Sequence, residues 1–433
     1  MLPNIKEANM LVGEIIKYYR EKKGISQSKL GEGICGKAYI SRFEGGKVAL
    51  TPEIITKFAD RLEIDISNEI ESLYQIENQL NDWNHALIMQ KTAQIDEIKL
   101  ELEQNSFIMT SKHAAYYLLL TAKYYHFKGL FLETKNTIEY VEKKFSNLSN
   151  YEKNLLLHIK GMYCISTFGT VDSELFQTAV NILEQINMDE YKNEEYYYHL
   201  ALAYHHAKAK IFAYKYAERA LQFFNKTSNY VSAISAQIII LMQFDSDQEI
   251  DFLELVENYK NLIHNCEVLD ALENKIIILS NLGEEFFKRG YYSQAAHYFE
   301  KAVLLTDKTD KADKISIKYV RRLYHFVEAC LEGELLNQEE LLAKIEIGTK
   351  LAKKACPIFF NLFNLFALKC KQEHNQYYEL LAEVVIPQLI STNNTFFYEQ
   401  YGKKLFRYYL KIKEYKKAIE LDQDFSFMNQ VLN

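Results

Sequence analysis

A short run near the start of the chain has the residue types and spacing to meet nucleic acid. Lys37, Ala38, Tyr39, Ser41 and Arg42 lie in the sequence Lys37-Ala38-Tyr39-Ile40-Ser41-Arg42-Phe43-Glu44, and Gln27 precedes it. On a helix, positions 37, 38, 41 and 42 share one face while Ile40 and Phe43 fall on the other. Lysine or arginine on such a face can donate to guanine O6 and N7, and serine to a base or a phosphate. Gln27 opens a short helix, where its amide and the helix N-terminus together favour a phosphate. These six residues are therefore candidate contacts to a DNA duplex, with the helix over 37–44 in the major groove.

That helix needs a scaffold, and the flanking sequence predicts one. Val12, Ile15, Ile16 and Tyr19 recur at helical spacing and predict a first helix over 10–22, ended by Gly24. Ser26 is placed to cap a second helix over 27–32, whose inward residue is Leu30. Gly36 caps the third. Thr51-Pro52-Glu53 is a start signal for a fourth helix running to about residue 62: a capping residue, proline in the first turn and an early acid. A connecting helix is expected from residue 68.

The remainder is repetitive. In residues 279–302, small residues (Gly283, Ala295, Ala302) stand where two helices must approach. Large ones (Leu282, Phe286, Tyr292, Phe299) stand where they plug a neighbouring pair. This resembles the tetratricopeptide unit. Weaker copies put the small position at 122, 161 and 201, a step of about 40 residues where the usual unit has about 34. Eight hairpins are expected between about 112 and 431, with a ninth around Trp83. Such hairpins bury their apolar faces only by stacking, which predicts a right-handed superhelix with a concave inner wall. The repeat frame assigns Tyr198, His205, Asn281, Glu284, Phe287, Arg321, Asn361 and Asn364 to that wall. Asparagines there can clamp a peptide backbone, one donor and one acceptor each. The expected organisation is a helix-turn-helix domain over 1–67, connecting helices or a degenerate repeat over 68–105, and a repeat domain over 106–433.

Composition agrees with this all-α fold class. Only 4 Pro and 15 Gly occur among 433 residues, which favours long helices. The net charge is −7, with a slightly basic head on an acidic body, so any DNA contact is expected in the head. The six cysteines lie far apart without a metal-binding spacing and are expected to be reduced and mostly buried. His205-His206 is a poor metal pair, because adjacent helical residues diverge by about 100°. No phosphate-binding loop, dinucleotide fingerprint, nucleophile elbow or zinc-protease motif is present, so neither a cofactor nor an enzymatic activity is expected. No run is apolar over the ~18 residues a membrane span needs, and no signal pattern opens the chain. The expected location is the cytoplasm, without membrane contact.

Residues 12–66 resemble the phage-repressor (Cro/CI, or XRE) helix-turn-helix family through Gln27, Leu30, Ala38, Ile40, Ser41, Glu44 and Gly45. Gly36 and Ala38 depart from its usual polar residues, so the operator sequence is not readable. Such a head followed by helical hairpins resembles the RRNPP family of peptide-pheromone quorum-sensing regulators, in length nearest its NprR-type branch. The resemblance implies a homodimer on a two-fold DNA operator and a signalling peptide of about five to ten residues in the repeat groove. It also keeps an alternative in view, because relatives lacking the head act as phosphatases or sequestering partners of response regulators. A peptide-independent repressor that uses its repeats for assembly is the other alternative.

Overall fold

The computed structural model describes residues 5–105, 107–167, 173–244, 252–309, 317–392 and 394–422. The head comprises α1 (Ile5–Lys22), α2 (Gln27–Gly31), α3 (Lys37–Glu44) and α4 (Pro52–Leu62). Its core is Val12, Ile16, Leu30, Ile40, Phe43, Leu50, Phe58 and Leu62. Ser26 Oγ accepts from the Lys29 amide and caps α2 as expected. Thr51 differs: it holds the cap position of α4 but makes no cap bond. Its hydroxyl bonds Glu53 instead, and that bond, with Glu53's own amide, lowers the Glu53 pKa. Gly13 lets α1 run against α3, since a Cβ there would lie 2.6 Å from the Phe43 carbonyl oxygen.

Among the described residues, helix pairs come after the head: α5 (Ile66–Ile88) with α6 (Thr92–Gln104), α7 (Ala114–Phe127) with α8 (Phe131–Lys144), then α9 (Asn150–Thr167), α10 (Ser173–Leu183) and the short α11 (Met188–Tyr191). Next come α12 (Tyr196–His206) with α13 (Lys210–Lys226), α14 (Tyr230–Met242) with α15 (Phe252–Val268), α16 (Leu272–Lys288) with α17 (Tyr292–Thr309), and α18 (Ile317–Glu332) with α19 (Gln338–Ala355). α20 (Pro357–Cys370) pairs with a helix built of α21 (His374–Leu380), a π segment over Leu381–Val385 and α22 (Ile386–Ser391). The π segment precedes Pro387, which has no N–H for the helical ladder. The final α23 (Thr395–Lys411) is followed by a helix over 415–422. The α5–α6 pair contains Trp83, fully buried, its indole N–H donating to the Ile95 carbonyl at 3.1 Å. The expected stretch to residue 431 extends outside the described residues.

The chain divides into two compact units, one of residues 1–163 and 185–192, the other of residues 164–184 and 193–433. In the first, the head is docked on α5 and on the segment between α6 and α7. The Tyr19 hydroxyl donates to Glu69 Oε1 at 2.7 Å, the Tyr18 ring lies 4.5 Å from that of Phe107, and the Lys112 amide donates to Glu14 Oε2 at 3.3 Å. In the second, Gly283 admits the Phe299 ring, 2.7 Å from where a Cβ would stand. One buried cluster there runs from Ala295 to Leu421.

One turn recurs between paired helices. Gln90, Gly129, Lys208, Gly290, Glu334, Gln372 and Lys413 all have positive φ, between 49° and 79°. The N–H of the following residue then reaches back five positions, from Lys91 to Ala86, Ala209 to Tyr204, Tyr291 to Phe286 and Glu373 to Leu368, at 2.9–3.1 Å. This is the Schellman closure, in which a left-handed residue satisfies the last helical carbonyls. A Cβ on Gly290 would meet nothing within 4 Å, so its φ of +79° is the whole cost of adding one. Gly290→Ala is expected to lower stability by about 1 kcal/mol. Lys208→Gly should raise it by less, because glycine's freedom in the unfolded chain offsets part of the gain. Denaturation midpoints check both, and equal shifts in the same direction would contradict the argument.

Candidate DNA-binding head and ligand wall

The geometry of α3 is fixed from beneath. Glu44, at its C-terminal end, accepts from Arg20 Nε at 2.6 Å and Arg20 Nη2 at 2.9 Å, a bidentate pair spanning α1 and α3. The side chains are 10% and 3% exposed, so the pair is screened little and its geometry is held tightly. The bond to Glu44 raises the Arg20 pKa against the opposing effect of burial. Arg20 Nη1 also donates to the Ile25 carbonyl, and Gln27 Nε2 donates to Glu44 Oε2 at 2.7 Å. α1, α2 and α3 thus meet at one carboxylate. From α4, Arg61 Nη1 donates to the Leu30 and Glu32 carbonyls at 2.7 and 2.8 Å and closes the end of α2.

Above this network, Lys37, Ala38, Ser41 and Arg42 are exposed on a common face, while Ile40 and Phe43 are fully buried. Tyr39 is half-buried, and its hydroxyl donates to the Ala49 carbonyl across the turn after α3. Gln27 is also half-buried, with its amide nitrogen engaged by Glu44. Sequence patterning passes over Lys47. It is exposed, and its amide bonds the Arg42 carbonyl at 2.8 Å, so the turn adds a cation beside the α3 face. Its one signal is a lysine just past a glycine pair, in a segment without periodicity.

Several residues assigned to the wall lie in the second unit. His205 on α12 takes a hydrogen bond from Gln243 Nε2 at 3.0 Å, just past α14. Burial lowers the His205 pKa, and Lys210 and Lys288 lower it further against the Gln243 bond. His206 stacks on Phe176 at 4.5 Å, and its pKa is held low by enclosure and by the charges of His205 and Arg321. Glu284 on α16 has a raised pKa, chiefly from enclosure, and feels the attraction of Arg321 and Lys288. His325 on α18 is held down to about 3 by burial and by Arg321. Two atoms in this wall, Asn281 Nδ2 and His325 Nε2, are closed from solvent and have no hydrogen-bond partner.

Tyr198, Phe287 and Asn361, also assigned to the wall, have partners within the repeats. The Tyr198 ring lies edge-on to Phe224 at 6.1 Å, and its hydroxyl bonds Ser235. Phe287 packs edge-on against Tyr292 at 5.3 Å. Asn361 Nδ2 donates to Gln388 Oε1 at 2.7 Å. Asn364 is half-buried on α20. Gln243, Lys288 and His325, which the repeat frame does not assign, are neighbours of His205, Glu284 and Arg321 in turn. Among the described residues no group of three or more His, Cys, Asp or Glu is arranged to hold a metal, and no helix is long and apolar enough to cross a membrane. All six cysteines are free thiols, with Cys266, Cys330 and Cys356 buried.

Further along α18, Glu328 is buried and accepts from Gln400 Nε2 at 2.6 Å, beside the Tyr324–Tyr401 hydroxyl pair at 2.8 Å. Burial pushes its carboxyl up to about 7, against the pull of Lys404 and the Gln400 bond and with the repulsion of Glu332. The folded protein therefore holds a proton that the unfolded chain releases near pH ~4.3. Stability is lost as pH rises from there toward 7, by on the order of 3 kcal/mol from this group. Glu328→Gln should remove that slope, so urea midpoints of variant and parent should converge at about pH 4 and separate by about pH 8 in the variant's favour. A constant separation would contradict it.

A helix-turn-helix family model matches residues 16–67, which include the Arg20–Glu44 pair. The transcriptional activator NprA of Geobacillus stearothermophilus is 21% identical over 428 residues, covering 93% of this chain and all of that one. Response regulator aspartate phosphatase I of Bacillus subtilis is 23% identical over 249 residues, 54% of this chain and 62% of that one. The apo form of the quorum sensor NprR from B. thuringiensis superposes with a TM-score of 0.64 at 21% identity, over 83% of this chain and 99% of that one. NprR in complex with its cognate peptide NprX superposes with 0.62 at 20% identity, over 83% of this chain and all of that one. A helix-turn-helix head and a helical repeat array of the NprR fold are thus what this chain has in common with these proteins.

Proposed function

We propose that this protein is a DNA-binding transcriptional regulator controlled by a short signalling peptide held by the repeat array. The observation that carries the reading is the exposed Lys37, Ala38, Ser41 and Arg42 face, set on a helix whose inner side is pinned by a buried ion pair. Likeness to a transcriptional activator over 93% of the chain supports the first half, and the NprR–NprX complex supports the second. The working form is a cytoplasmic homodimer whose two heads read half-sites about one DNA turn apart, ~34 Å. The head is docked on α5 and on the segment before α7, not tethered, so a change in the first unit is carried to the head. The peptide can alter DNA binding only if it prefers one of two arrangements of the array.

The test is native mass spectrometry of the protein purified from its own host, with and without gentle denaturation, followed by operator selection. A co-purifying peptide of about five to ten residues supports the receptor reading. A second reading draws on the partial likeness to a response regulator aspartate phosphatase. Dephosphorylation of a phosphorylated response regulator by the purified chain would favour it.

A further inference from the structure

A cleft of about 330 Å³ lies over α14, between the C-terminal ends of α13 and α15. Its origin is in the packing. On α14, Ala233 joins the buried cluster around Phe224 of α13, and Ile234, one step on, joins the cluster around Tyr259 and Leu262 of α15. Tyr230 and Gln237 flank them on the same helical stripe and also line the cleft. A side chain as small as that of Ala233 leaves the space between the two outer helices unfilled.

The lining is apolar below and polar around. Ala233 and Ile234 are buried and make the floor, while Tyr230, Val268 and Leu269 on the rim are 53%, 69% and 37% exposed. Single exposed apolar residues are ordinary, but these three border one concavity. Three primary amides from three helices, Asn225, Gln237 and Asn265, complete it, and none of their side chains has a hydrogen-bond partner among the described residues. No ionisable acid or base lines the cleft, so neither a phosphate nor a metal ion matches it. Each amide offers a donor and an acceptor, the pair that an extended peptide backbone presents. An apolar floor with a few convergent polar groups is the usual character of a ligand site, and the volume suits a short stretch of chain.

We propose that this cleft binds a short extended segment of a partner protein. The segment's backbone runs across the three amides, and one large apolar side chain of it rests on Ala233 and Ile234. The proposal does not depend on the receptor reading. The residues assigned to the wall lie on α12, α16, α18 and α20, each the first helix of its pair, whereas this cleft opens between the second helices α13 and α15.

The experiment is affinity selection with the full-length protein against a randomised heptapeptide pool, acetylated and amidated so that only the interior of a chain is offered, read by mass spectrometry. Two variants run in parallel: Gln237→Ala with Asn265→Ala, and Val268→Arg, which changes an exposed side chain and puts a charge on the rim. Thermal unfolding confirms that both are folded. The enriched peptides should share a central large apolar residue and bind both variants about 10-fold more weakly or worse. N-methylation of the backbone nitrogen beside that residue should cost a similar factor in the parent and little more in the amide variant, because the same bonds are already lost. Enriched peptides that bind the parent and both variants alike overturn the proposal and leave the receptor reading standing, as does a pool from which nothing is enriched. If nothing selected depends on the cleft but Val268→Arg lowers the oligomeric state of the parent, a second copy of this chain occupies it, and the proposal is overturned in that copy's favour.

Discussion

Glu44→Ala is expected to unfold the head while leaving the array folded. The substitution removes the one carboxylate at which Arg20, Gln27 and the end of α3 meet. Arg20 would keep its Ile25 carbonyl and exposed Glu21 contacts but lose both strong bonds, in a site where its side chain is only 10% exposed. Breaking one side of such a pair costs about 3–5 kcal/mol, since the remaining charge stays buried. That is comparable to the whole stability of many small domains, about 5–15 kcal/mol. Glu44→Gln retains an acceptor and should cost less. Limited proteolysis reads the outcome, with cleavage between residues 12 and 62 in Glu44→Ala and a protected array. DNA binding should fall with it. If Glu44→Ala resists protease as the parent does and binds the same operator, the network is not what fixes α3.

This network marks the limit of what the sequence makes legible. The bounds of α3 and α4 and the Ser26 cap follow from local rules, because capping and periodicity act within a few residues. The Arg20–Glu44 pair does not, since its partners are 24 positions apart on crossing helices. Gln27 shows the consequence: its place at the start of α2 is readable, but its partner is not. The repeat array behaves similarly. Gly129 and Gly290 announce the left-handed turn, whereas Gln90, Lys208, Glu334, Gln372 and Lys413 adopt the same conformation with side chains that give no hint of it. The residues assigned to the wall are hard to fix by spacing, for a geometric reason. One step along a helix rotates a side chain by about 100°, so a repeat frame with an irregular step drifts from inner wall to packing face within a few residues. Tyr198 and Asn361 have side-chain partners in Ser235 and Gln388, which no repeat frame indicates. Neutral His325 is invisible to sequence patterning, because its role depends on burial against Phe299 and the charge of Arg321.

Lys37→Ala combined with Arg42→Ala should abolish specific DNA binding without disturbing the fold or peptide affinity. Both side chains are exposed and absent from the head core, so their truncation removes no buried contact. A side chain that pairs bidentately with a base discriminates by about 1–3 kcal/mol, so losing two costs about 2–6 kcal/mol. Specific complexes exceed non-specific ones by about 4–10 kcal/mol, so a loss of that size removes most of the preference for the operator. Each single variant separates two roles. If Arg42 reads a base, Arg42→Ala relaxes sequence preference at one position of each half-site. If it meets phosphate, affinity falls evenly across sequences and the salt dependence weakens by about one counterion. Lys47→Ala, from the turn beside α3, is expected to act in the second way only. Footprinting at two salt concentrations resolves these cases, and thermal unfolding confirms that the head is intact. A double variant that still protects the parent's operator would remove α3 from the role of reader, and the exposed face would then need another explanation.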